Sequence, residues 1–187
     1  LLTFADVRSV GPDVWTNWKG MLLKELYIRT VNVLEQGEFK KEEPKDRLKR
    51  VTEDVIGKLD KKVSKRNVKS ILSKMPDSYF LGFSPRKIAS HVEFIDNAKG
   101  VIGFDLSFFP NQEFDELTIW GKDEHGIFSR LCGVIRASGF NILGARITTR
   151  SDGRILDVFY VNRLGKSSGG EDALCQKLDN NLSGVLS

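Results

Sequence analysis

Between Leu117 and Leu186 the hydrophobic period changes repeatedly, and this constrains the fold more than any other feature of the chain. DELTIWGKD alternates and is rich in β-branched and aromatic residues, which predicts a strand. The polar turn Lys122–His125 follows. From Gly126 to Gly139 the apolar residues Ile127, Leu131, Val134 and Ile135 fall at helical spacing. Phe140–Arg150 returns to the strand period. Asp152-Gly153 suits a two-residue type I′ hairpin turn, and Ile155–Asn162 is the return strand. After the loop LGKSSGG, Leu174, Leu178, Leu182 and Val185 mark a last amphipathic helix. The order β, α, β, β, α is that of a ferredoxin-like βαββαβ unit without its final strand. The fold class expected is α+β. An uncovered strand edge invites association, so Val101–Phe109, one turn before Leu117, is expected to pair with that strand.

The chain upstream reads as helical. Leu1–Val10 is compatible with the last helix of a preceding domain, stopped at Gly11-Pro12. Trp15, Trp18, Leu22, Leu26 and Val33 follow at amphipathic spacing, with Tyr27 alongside and Gly37 at a C-cap position. Trp15, Trp18 and Tyr27 read as core or a domain-docking surface. Residues 38–74 are crowded with lysine and arginine, and Leu48, Val51, Val55, Leu59, Val63, Val68 and Ile71 run through them. That predicts charged surface helices with a narrow buried stripe. Ser84-Pro85 opens a further helix, with Ile88, Val92 and Ile95 on one face and Gly100 as its stop. The divisions expected are 1–37, a charged helical linker over 38–78, a connecting helix over 79–100, and 101–187 as the sheet-bearing unit. The opening residues carry no initiating methionine and no basic leader, as if cut from something longer.

Composition excludes several classes. The net charge of +4 is small, and acids are interleaved with the lysines, so a nucleic-acid arm is not expected. No apolar run is long enough to span a membrane. Two cysteines, Cys132 and Cys175, cannot make a disulfide scaffold or a four-cysteine zinc site. Reduced cytoplasm fits that usage.

One stretch could carry chemistry. KDEHG follows a strand and opens a helix, where backbone N–H groups attract anions and carboxylates. Gly126 admits a ligand close to the backbone, and Asp123 can cap the helix or take a ligand amine. The strand opening at Asn141-Ile142 is expected near the same place. The competing reading makes Asp123 an ordinary cap and Gly126 an ordinary turn residue. His125 is a lone histidine with no metal partner near it in sequence.

DEHGIFSRLCGVIRASGFNILGARITT resembles the ACT regulatory domain: Asp123, Gly126, Ile127, Phe128, Gly139, Asn141 and Ile142 match its pattern. His125 stands where many ACT domains have proline. The resemblance implies amino-acid binding at an interface between two such domains. The effector site it implies is Asp123, His125, Gly126, Ile127, Asn141 and Ile142.

With LLTFADVRSVGPDVWTNWKGMLLKELYIRT and MPDSYFLGFSPRKIASHVEFI added, nearly the whole chain is similar to the C-terminal part of the bifunctional enzymes that uridylylate and deuridylylate the PII signal protein. That resemblance implies the end of an HD domain, a linker and the first of two ACT domains. It implies PII as partner, glutamine as effector, and a possible ACT-mediated homodimer. No catalytic residue is expected here: the nucleotidyltransferase motifs and the HD histidines are absent. No cofactor is expected in these residues. In the parent a divalent metal, Mg or Mn, is implied, with Asp6 as one ligand of its set. The alternative is a non-catalytic interaction module that binds no ligand in this domain.

Overall fold

A computed structural model describes residues 2–11, 15–35, 43–59, 63–98, 103–110, 113–164 and 170–184. The expected turn at Pro12-Asp13, the stops at Gly37 and Gly100, and Val185 lie outside the described residues, as do Val101 and Ile102.

Four antiparallel strands form one sheet in the order β1-β2-β4-β3. They are β1 (Gly103–Ser107), β2 (Asp115–Lys122), β3 (Phe140–Arg146) and β4 (Arg154–Arg163). β1 pairs antiparallel with β2, Leu106 opposite Leu117, and takes the edge that the last strand of a ferredoxin-like unit would occupy. The sequence expectation for that edge holds.

Eight helices are described. α1 (Leu2–Ser9) and α2 (Asn17–Glu35) come first, then α3 (Pro44–Lys58), α4 (Lys65–Leu72), α5 (Asp77–Gly82) and α6 (Pro85–Asn97). α7 (Ile127–Ala137) links β2 to β3, and α8 (Gly170–Ser183) follows β4. α6 starts as the sequence suggests, and α4 starts in the same way. The hydroxyls of Ser64 and Ser84 accept hydrogen bonds from the amides of Asn67 and Lys87, satisfying one orphan donor in each helix. Pro85 sits in the first turn, where its missing N–H costs nothing.

Strand alternation sends side chains to opposite faces. Leu117, Ile119, Ile155, Phe159 and Val161 face α7 and α8, where they meet Leu131, Ile135, Leu174 and Leu178. Trp120 and Leu156 face the other way. They join a second core built by Val51, Val55, Val68, Leu72, Tyr79, Ile88 and Val92 of α3 to α6. The sheet is therefore covered on both faces. The buried stripe expected in the helical linker over 38–78 is, from α3 onward, part of a closed layer over the sheet. The lysines sit outward on the same helices and conceal that in the sequence.

Two local expectations are corrected. The β3–β4 turn is not a two-residue type I′ turn. The Gly153 amide donates to the Arg150 carbonyl at 3.1 Å, and the Arg150 amide to the Arg154 carbonyl at 2.8 Å. This encloses Ser151, Asp152 and Gly153, with Gly153 at φ 70°, a three-residue hairpin loop with glycine in the left-handed position. β3 also ends at Arg146 instead of Arg150. The Thr148 amide donates to the side chain of Asp157 at 3.1 Å, leaving the regular ladder.

Candidate functional site

The turn between β2 and α7 is built by three backbone hydrogen bonds. The Asp123 amide donates to the Gly153 carbonyl at 2.9 Å, tying the turn to the β3–β4 hairpin. The Ile127 amide donates to the Glu124 carbonyl at 3.0 Å, and the Arg130 amide to the Gly126 carbonyl at 3.2 Å. Gly126 is the N-cap residue, at φ 75°, and no side chain caps the helix. The expected cap at Asp123 is thus absent. Because Arg130 makes the first bond back to Gly126, the amides of Phe128 and Ser129 have no partner within the helix. A side chain at Gly126 would meet no atom, but residues with a Cβ avoid its left-handed backbone.

Asp123, Glu124, His125 and Gly126 are all exposed. Glu124 is engaged with Arg130 at 3.3 Å and Lys122 at 3.5 Å. Hydrogen bonds from Arg130 and then Lys122 hold its carboxyl below the usual range. Ile127 points the other way, buried in the core against α8 and the sheet. It anchors the turn and is not available to a ligand.

Two groups lie beside the turn, of which Asp157 was not singled out from the sequence. Asp157, on β4, is 1% exposed on the α7-facing side of the sheet. Burial pushes its carboxyl up to about 6; the Thr148 amide opposes this, and the nearby Asp123 charge adds to it. Phe128 is exposed and stacks on Phe159, with centroids 5.9 Å apart. An acid between apolar neighbours in ILDVFYV was the available signal for Asp157.

Asn141 and Ile142 are not beside this turn. Ile142 pairs with Val161, which pairs with Asp115 at the start of β2. Asp123 follows the far end of that eight-residue strand, roughly 25 Å away at about 3.3 Å per residue. α7 carries the chain back along the sheet before β3 begins, so the two ends of that helix cannot share one pocket. The Asn141 side chain donates instead to Asn162 Oδ1 at 3.2 Å, and Ile142 packs on the core. Near that end an open cleft of about 370 Å³ is lined by Phe109, Phe114, Asp115, Arg163 and Glu171. Arg163 is held there by Asp115 at 3.3 Å and Glu171 at 2.9 Å.

Asp6 is exposed on α1. Among the described residues no group of three or more His, Cys, Asp or Glu side chains could hold a metal ion. The residues present do not make a metal site, and no step is derived through one. No described helix is long and apolar enough to cross a membrane.

No family model matches the chain. It is similar to a bifunctional uridylyltransferase/uridylyl-removing enzyme of Phenylobacterium zucineum, 33% identical over 92% of this chain and 18% of that protein. The enzyme of the same description from Gluconobacter oxydans is 34% identical over 86% of this chain and 17% of its own length. A third, from a Bradyrhizobium species, is 30% identical over 100% of the chain. Over its matched length the chain is similar to one part of these bifunctional uridylyltransferase/uridylyl-removing enzymes. It spans about a fifth of the length of these relatives.

Proposed function

We propose that this chain is the C-terminal regulatory part of a uridylyltransferase/uridylyl-removing enzyme, and that the turn Asp123–Ile127 senses an amino acid, glutamine first among candidates. The observation that carries this reading is the exposed, uncapped start of α7 behind Gly126 at φ 75°. Two unpaired amides suit a carboxylate, and Asp123 suits an ammonium group. The sheet order, with β1 on the ferredoxin-like edge, supports an ACT unit over residues 101–187. In this reading residues 1–37 end an HD-type domain. The helices between them are packed on the sheet, so they can transmit strain.

The whole enzyme would transfer UMP from UTP to a tyrosine of the PII protein and hydrolyse it off again, in the cytoplasm. Asp6 would add one carboxylate to a divalent Mg or Mn set completed by residues elsewhere in the enzyme. An effector acts by binding two states unequally. Because Asn141 lies at the opposite end of the sheet, it and Ile142 could complete a site only from a second ACT unit, in cis or in a homodimer. That separation also favours the second reading, a docking module with no ligand of its own.

Calorimetry with L-glutamine on a chain carrying the full regulatory region separates the two. The unmodified chain is expected to bind. Gly126→Val, which forces a β-branched residue into a left-handed backbone at about 1–2 kcal/mol, is expected to weaken binding about tenfold. Equal binding by both chains overturns the site, and no binding by either favours the docking module.

A further inference from the structure

α3 and α4 carry a surface feature away from the turn before α7. Their inner stripes, Val51, Val55, Val68 and Leu72, close the core. A second stripe of α3, one step around the helix, carries Leu48, Thr52 and Ile56. These form the floor of an open groove of about 670 Å³ between the two helices. The floor is apolar in effect. Leu48 and Ile56 are half-buried aliphatics, and the buried Thr52 has its hydroxyl engaged, donating to the Leu48 carbonyl at 2.6 Å.

The rim is strongly one-signed. Lys45 and Lys49 stand one turn apart on α3, and Lys65 and Lys69 one turn apart on α4. Glu53 is the acid that lines the groove. All four lysines are exposed, and none takes part in an ion pair among the described residues. Two lysine pairs facing each other over an aliphatic floor repel one another until an anion lies between them. Leu48 to Ile56 spans about two helical turns, which fits apolar anchors at i, i+4 and i+7 of a bound helix.

We propose that the α3–α4 groove docks an acidic amphipathic helix of a partner protein. Its apolar face seats on Leu48, Thr52 and Ile56. Its flanking Asp and Glu side chains lie against the lysine pairs on either side. The charge pairs lie at a solvated rim, so they set orientation, on-rate and salt dependence more than affinity.

The test uses a fluorescein-labelled peptide about four turns long, with leucine at i, i+4, i+7 and i+11 and glutamate flanking them. Anisotropy is read at low and at physiological salt, and the contact is mapped by amide chemical shifts. The expected result is saturable binding that weakens with salt, with shifts confined to residues 45–56 and 65–73. The double variant Lys49→Glu, Lys69→Glu, at exposed positions that the fold does not use, is expected to lose roughly tenfold or more in affinity with unchanged melting. The proposal is overturned if a scrambled peptide of the same composition binds as well, or if a lysine-flanked version does. It is equally overturned if the shifts map elsewhere, or if a short DNA duplex binds more tightly at the same amides.

Discussion

The two faces of the sheet are covered differently. On the α7 and α8 side the buried contacts are mainly aliphatic and aromatic, and the buried polar groups there, Asp157, Asp115 and Ser138, each have a hydrogen-bond partner. On the α3 to α6 side the seam carries several buried polar groups. Tyr79 Oη lies 2.9 Å from His91 Nδ1, and Arg150 lies over the Trp120 ring at 4.9 Å while gripping Asp152. His91 Nε2, Thr118 Oγ1, Trp120 Nε1 and Arg150 Nη1 are buried there with no hydrogen-bond partner among the described residues. Each such group costs about 1–3 kcal/mol. One face is thus held mainly by apolar packing, with its buried polar groups partnered. The other trades stability for polar groups that need exact placement, which suits an interface that responds to its surroundings.

The largest effects should come from breaking each core in turn. Phe159→Ala opens the α7/α8 face and is expected to cost about 3–5 kcal/mol, with faster amide exchange throughout the sheet. Leu72→Ala opens the other face and is expected to cost about 2–5 kcal/mol, with faster exchange in α3 to α6 while β2 and β4 stay protected. Identical exchange patterns would erase the contrast.

Acid should separate the faces next, because their buried groups titrate with opposite sign. Burial, helped by the Lys87 charge, lowers the His91 pKa to about 3. Below pH 6.5 the unfolded chain takes up a proton that the folded chain refuses, so stability falls as pH drops from about 6.5 toward 3. The full loss is on the order of 5 kcal/mol, and urea midpoints across that range would measure it. His91→Phe should flatten the profile.

Asp157 works in reverse and less strongly. Its raised pKa means that the unfolded chain gives up its proton first, so this group lowers stability as pH rises from about 4 to about 6. Asp157→Asn keeps an oxygen for the Thr148 amide. It should stabilise the chain by about 3 kcal/mol at neutral pH and by nothing below pH 4. A loss of stability at neutral pH would show that the charged form is the one the fold needs.

Much of this was legible in the sequence, for a physical reason. Alternation at Leu117–Trp120 and helical spacing at Ile127, Leu131 and Ile135 report which side of an element is buried, and burial selects the element. The short turn before Leu117 made a hairpin with β1 the cheapest cover for an open edge. What spacing could not convey was which end of the sheet each residue occupies. Asn141 follows α7 closely in sequence, yet the helix returns it to the far end. The lysines of α3 and α4 masked a full core layer, since long charged side chains reach solvent from helices whose other face is buried. His91 was hidden by the attention that the exposed His125 attracts.

In the proposed function, the turn before α7 holds an amino acid through the backbone of Gly126, Phe128 and Ser129. Amide spectra of the isotope-labelled chain, titrated with L-glutamine and separately with D-glutamine, test it most directly. Saturable shifts are expected at residues 123–129 and at Gly153, stronger for the L form. Shifts absent from that turn, or equal for both forms, would contradict it.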